Sequence, residues 1–132
     1  MNQDSIAANL AAVEAHFHSE AENDVYRALE LYTDDVEWES AARRLYFKGK
    51  KAVAENYRNI WSSIRDVEFK TLQRFATEDP VVDDSMVTFH LVKGGFLPLP
   101  AGTNVEIRLA HVFEMRAGKI SKEIAYEIWR AV

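Results

Sequence analysis

Between Thr103 and Trp129 apolar residues recur at every second position: Val105, Ile107, Leu109, Phe113 and Met115 with His111 in their row, then Ile120, Ile124, Tyr126 and Ile128. A period of two predicts strands, and the intervening Ala117-Gly118-Lys119 predicts a tight turn, so the segment reads as one long β-hairpin. Each strand has one mostly apolar face, interrupted by His111, Lys122 and Tyr126. Polar groups on the buried side of a sheet are where function is first sought.

The earlier chain changes period twice. Ile6, Leu10, Val13 and Phe17 keep helical spacing, with Asp4 or Ser5 placed to cap the helix, which is expected to run to about Ser19. At about 100° per residue, His16 falls at one edge of that stripe and His18 off it. Asn23 or Asp24 caps a second helix with Val25, Ala28, Leu29 and Tyr32 on one side, ended by Thr33-Asp34-Asp35. Val36 to Ser40 alternates as a short strand with Val36, Trp38 and Ser40 on one face and Glu37 and Glu39 on the other. Ala41 to Lys48 reads as a polar connection, and Gly49 opens a third helix containing Val53, Tyr57, Ile60, Trp61 and Ile64. From Asp66 to about Thr77 the period returns to two, with a bulge implied where Leu72 and Phe75 break the alternation. Glu78-Asp79-Pro80 and Asp83-Asp84 read as turns before Met86 to Val92, a strand apolar on both faces.

Helices followed by a mainly antiparallel sheet make an α+β domain, and 132 residues with 48% hydrophobic content suit a single one spanning 1–132. A net charge of −5 with scattered Lys and Arg gives no nucleic-acid footprint, and no apolar run is long enough to span a membrane. The Met-Asn-Gln-Asp start is unlike a signal peptide, so the chain is expected to be cytoplasmic. With no cysteine, thiolate chemistry and disulfides are excluded.

The stretch Leu31 to Trp38, Gly49 opening a helix, and Val112-Phe113-Glu114-Met115-Arg116-Ala117-Gly118-Lys119-Ile120 resemble the nuclear transport factor 2-like superfamily. That superfamily includes ketosteroid isomerases, scytalone dehydratase, limonene epoxide hydrolase and SnoaL-type polyketide cyclases. The loop Gly94 to Gly102 is most similar to that of SnoaL-like proteins. The resemblance implies a cone-shaped, curved, mixed but mainly antiparallel sheet wrapped around N-terminal helices, a cystatin-like α+β barrel with a hydrophobic pocket. Where ketosteroid isomerases carry their base and oxyanion-hole residues this chain has Ser40, His111 and His16. The Arg-x-Asp of limonene epoxide hydrolase reads Arg108-Leu109-Ala110, and the final-strand His and Asp of SnoaL-type cyclases fall near Glu123 and Ala125. His90, His111 and Tyr126 are the nearest counterparts of the scytalone dehydratase set.

The expected catalytic residues are therefore His111, His16 and Tyr126, with Trp38, Ser40, Tyr57, His90 and Phe113 around the ligand. An imidazole titrates near neutrality and a phenol donates to an oxygen, which suits isomerisation, dehydration or cyclisation of a small apolar carbonyl compound. No cofactor is expected, and no metal, since no pair of histidines has ligand spacing. The plainer alternative is a non-catalytic ligand-binding or dimerisation module of the same fold, with these groups as core or boundary residues. Phe89, Leu91, Val112 and Trp129 are expected on the outer sheet face as a homodimer contact, and Phe96, Leu97 and Leu99 over the pocket or the partner.

Overall fold

The computed structural model describes residues 2–22 and 24–132, the side chain of residue 21 excepted. Its helices are α1 (Gln3–Ala21), α2 (Val25–Glu30) and α3 (Lys50–Ser62). The strands are β1 (Tyr32–Ser40), β2 (Leu45–Lys48), β3 (Ile64–Ala76), β4 (Val81–Leu91), β5 (Asn104–Arg116) and β6 (Lys119–Ala131). Helix α1 begins earlier than Asp4 or Ser5 would place it, because the Asn2 side chain accepts from the backbone N–H groups of both. Asp24 caps α2 by accepting from the Arg27 N–H, and the other candidate, Asn23, lies outside the described residues. Gly49 opens α3 at a φ of 86°, where any side chain would be strained.

All six strands join one sheet in the order β2-β1-β6-β5-β4-β3. Every pairing is antiparallel except that of β1 with β6. The sheet curves without closing, and α1 and α3 pack on its inner face. This is the mixed, mainly antiparallel α+β cone expected from the chain, left open between β2 and β3. One core cluster joins Val13 and Phe17 of α1 to Tyr32, Val36, Phe113 and Ile120. A second joins Val87, Phe89, Leu91, Val105 and Ile107 to Phe96 and Leu97 of the loop before β5. Each fully buried side chain of this size contributes about 1.5–3 kcal/mol by leaving water.

Several expected boundaries move. Thr33 to Asp35 belong to β1 instead of ending a helix, and the connection after Ser40 contains β2, whose four residues pair with Glu37 to Ser40. Asp83 and Asp84 lie within β4, since Arg74 across the ladder neutralises the buried Asp83. The β4 face made by Val87, Phe89 and Leu91 is the inner one, so Phe89 and Leu91 are core residues rather than outer-face ones. Trp129 also packs against that core, and of the four residues expected outside only Val112 is there.

The largest difference arises at the hairpin. Ala117 and Gly118 turn the chain with φ of 51° and 77°, and then the register slips: Met115 pairs with Ile120 but Glu114 with Lys122. One extra residue reverses the parity of everything after it. Beyond Ile120 the inward residues of β6 are therefore Glu123, Ala125 and Glu127, while Ile124, Tyr126 and Ile128 face out. Among the described residues no helix is long and apolar enough to cross a membrane.

Candidate functional site

Ladder register lines up an unusual row on the inner face. Arg74, Asp83, His111, Ala125 and Ser40 are consecutive neighbours across β3, β4, β5, β6 and β1. Glu123 lies in the next row, between Phe113 and Trp38, and Glu127 in the row on the other side, beside Leu109. Against these strands lies α1, which delivers His16 and Glu20 one helical turn apart, on the same face. The result is a polar seam inside an apolar cone.

A cavity of about 80 Å³ opens beside the seam. Its walls are apolar, with Trp38, Trp61, Phe69, Phe89, Phe96 and Ile107 among them, and its polar lining includes Glu20, Tyr57, His111, Glu123, Arg43 and Glu127. An apolar pocket with a few convergent polar groups is the usual form of a small-molecule site.

Glu123 is the centre of the polar group and is 2% exposed. The Tyr32 hydroxyl donates to its Oε1 at 2.7 Å. His16 Nε2 is 3.4 Å from the same oxygen and 3.6 Å from Glu20 Oε1. His111 Nε2 is 3.4 Å from Glu123 Oε2. Both histidines are buried, and His16 is ringed by Phe17, Tyr32, Tyr57 and Phe113. Neither His16 nitrogen has a hydrogen-bond partner, nor do His111 Nδ1 and the Tyr57 hydroxyl.

Burial sets the protonation of this cluster. It lowers His16 from 6.5 to about 3, with the charge of Arg74 adding to the effect. It also lowers His111, although the negative charges of Glu123 and Asp83 oppose the shift. It raises Glu20 well above the carboxylate range, and the Glu123 charge raises it further. Burial likewise raises Tyr32 and Tyr57, each pushed further by Glu123 and Glu20. At neutral pH the site therefore holds two neutral imidazoles and two phenols, and burial favours the protonated form of Glu20.

Two other buried carboxylates flank the cavity differently. Arg74 Nε donates to Asp83 Oδ2 at 2.7 Å and Ser85 Oγ to Asp83 Oδ1 at 2.7 Å. Ser40 Oγ and Arg43 Nε both donate to Glu127 Oε1, the second at 3.2 Å, and the Arg43 guanidinium lies over the rings of Trp38 and Phe96 at 5.5 and 4.9 Å.

The expected site residues divide accordingly. His111, Trp38 and Tyr57 line the cavity. His16 stands behind Glu123, and Ser40 acts through Glu127. Phe113 is fully buried behind the cavity, with its ring 5.2 Å from that of His111. His90 is not there: it sits on the outer parity of β4 with Nδ1 2.8 Å from Asn104 Oδ1. Tyr126 is not there either, being 48% exposed on the outer face because of the β6 bulge. Sequence reasoning passed over Glu20, Glu127, Arg43 and Arg74, took Asp83 for a turn residue, and reached Glu123 only through the family resemblance. Of those passed over only Glu20 carried a readable signal, four residues after His16 on one helix.

The sequence profile of the SnoaL-like domain family matches residues 13–123. No curated protein matches the chain in sequence. Among solved structures, a candidate SnoaL-like polyketide cyclase from Jannaschia sp. CCS1 superimposes with a TM-score of 0.85 at 12% identity, covering 96% of this chain and 90% of that one. A LEH-like epoxide hydrolase from M. tuberculosis gives 0.75 at 18% identity over 93% and 84%. A candidate ketosteroid isomerase from Kribbella flavida DSM 17836 gives 0.69 at 12% identity over 93% and 79%. Identities this low speak for a shared fold, on which different chemistries are grafted.

Proposed function

This chain belongs to the SnoaL-like family of the nuclear transport factor 2-like superfamily, and from that premise we propose that it performs acid–base chemistry on a small, mostly apolar carbonyl compound. The observation that carries the reading is Glu123, a buried carboxylate facing the histidine that lines the cavity. A neutral His111, its Nε2 3.4 Å from Glu123 Oε2, keeps one unprotonated ring nitrogen able to accept a proton from carbon adjacent to the carbonyl. The imidazolium so formed is stabilised by Glu123 and Asp83, the same charges that oppose the lowering of the His111 pKa. Tyr57 and Glu20, both cavity-lining, supply hydrogen bonds to the developing enolate oxygen. Return of the proton from His111 to a different carbon completes an isomerisation, and its delivery to a β-hydroxyl, which leaves as water while the enolate electrons form the new double bond, completes a dehydration.

Exchange of the α-protons of small ketones and enones in D2O, followed by NMR, tests this reading. The intact protein is expected to catalyse exchange for at least one compound in such a panel, and His111→Phe to slow it by about 10²- to 10⁴-fold with little change in melting temperature. Exchange untouched by His111→Phe, or a large loss of stability with unchanged ligand binding, would remove His111 from the mechanism.

The alternative of a non-catalytic ligand-binding or dimerisation module draws on the outer sheet face. Val82, Val112 and Ile124 are adjacent there across β4, β5 and β6, with exposed Phe75 beside Val82. Tyr126 and Ile128, the latter 76% exposed, extend the patch. We infer a homodimer through this face, since contiguous apolar surface of this kind is normally covered. Light scattering at micromolar concentration should give twice the chain mass, and Ile128→Glu should halve it. A monomeric mass for the unaltered chain would dismiss the dimer.

A further inference from the structure

We propose that His16, Glu20 and Glu123 bind a divalent first-row transition ion, zinc being the simplest, with a fourth position open toward the cavity. The ligand atoms of these three residues all lie within 4.8 Å of one another. Their spacings, 3.4 Å from His16 Nε2 to Glu123 Oε1 and 3.6 Å to Glu20 Oε1, are too long for hydrogen bonds, which fall at roughly 2.7–3.2 Å. The shorter matches the edge of a tetrahedron drawn around an ion with bonds of about 2.0–2.1 Å, which is about 3.3–3.4 Å, and the longer lies a few tenths of an ångström beyond it.

A second observation is the state of His16 itself. It is 0% exposed, yet neither ring nitrogen has a hydrogen-bond partner, a costly condition for a buried polar group. Arg74, on the same seam, does not answer that need among the described residues, because its guanidinium is engaged by Asp83. An ion bound to Nε2 would answer it, and would also give the buried Glu123 and the partly buried Glu20 the positive charge they lack. Tyr32 donates to Glu123 Oε1 and His111 faces Oε2, so Glu123 is oriented from two sides, as ligating carboxylates usually are. Nitrogen with two carboxylates suits zinc, iron, cobalt or manganese better than calcium or magnesium. Three protein ligands with an open position make a Lewis acid, and Glu20 and Glu123 both border the cavity, so the open position would meet a carbonyl oxygen there.

Zinc titration of the untagged, chelator-treated chain by calorimetry, paired with the visible spectrum of the cobalt-loaded chain, tests the site without any substrate. Expected are one ion per chain, the intense visible bands of four-coordinate cobalt, and a rise in melting temperature on zinc addition. Glu20→Gln mimics the protonated carboxyl, so it should fold as judged by circular dichroism while weakening zinc binding by more than about a hundredfold. His18→Ala removes the exposed His18–Glu22 pair, a source of adventitious binding, and should change nothing. The proposal is overturned if the folded chain binds no zinc, if cobalt gives only the weak six-coordinate spectrum, or if binding survives Glu20→Gln and disappears with His18→Ala. The carbonyl chemistry stands or falls separately, on proton exchange and His111→Phe.

Discussion

Two buried carboxylates on the same sheet face, Asp83 and Glu123, meet opposite treatment. Asp83 has a guanidinium on one oxygen and a serine hydroxyl on the other, both at 2.7 Å. Glu123 has one phenol at 2.7 Å and two neutral imidazoles held at 3.4 Å. The first charge is cancelled and fully hydrogen-bonded, as a structural ion pair must be to survive burial. The second is neither cancelled nor saturated. Such a group is a candidate for completion by a ligand, a proton or an ion, so the contrast sets the ion pair of the scaffold against the candidate site.

The comparison breaks first at Asp83. Asp83→Asn leaves Arg74 beside a neutral group and strips a charge-assisted bond, with an expected loss of about 3–5 kcal/mol by urea denaturation. A loss below about 1 kcal/mol would mean that Arg74 simply turns to solvent and the pair is not structural. At Glu123 the corresponding cut is smaller. Tyr32→Phe removes its one short hydrogen bond and should cost about 1.5–3 kcal/mol, the range for a bond to a charged group. If the variant is as stable as the parent, the Tyr32–Glu123 hydrogen bond contributes nothing to the fold.

The pH dependence sharpens the contrast with the smallest effect at any single pH. His16, lowered to about 3, and His111, also lowered, take up protons more readily in the unfolded chain. Their contribution is therefore fully present above the ordinary 6.5 and is lost as pH falls toward about 3. Glu20 has the opposite sign: its raised pKa stabilises the fold below the ordinary 4.5 and is lost as pH rises above it. Glu20→Gln keeps the first slope and deletes the second. Denaturation curves measured between about pH 5 and 8 should show the variant gaining on the parent as pH rises. Parallel curves would show that Glu20 titrates normally and that the cluster is wetter than its burial implies.

The sequence carried the helices, the long hairpin and the parity of β5, because each rests on four or more apolar residues in period. His111 was legible for that reason. Tyr126 and the two glutamates of β6 were not, since a single slip at Ser121 exchanges the faces and leaves no mark in the composition. The strand β2 is four residues long, with only half its side chains partly buried, and gives no alternation to detect. Asp83 looks like a turn residue until its cross-strand neighbour Arg74 is known, which is information about pairing rather than about local sequence. His16 is a different case: its helix and face were readable, but its full burial depends on the closeness of β6 and the rings of Tyr57 and Phe113.

The walls of the cavity also make the protein its own optical instrument. Of its three tryptophans, Trp38 and Trp61 line the space directly, and Trp129 packs against the cluster that forms one wall. The guanidinium of Arg43 rests on Trp38 and is tethered to Glu127, so a guest that displaces it changes the polarity felt by that indole. Intrinsic emission should then shift in wavelength or intensity as the space fills, and candidate guests can be ranked by unlabelled titration before any chemistry is assayed.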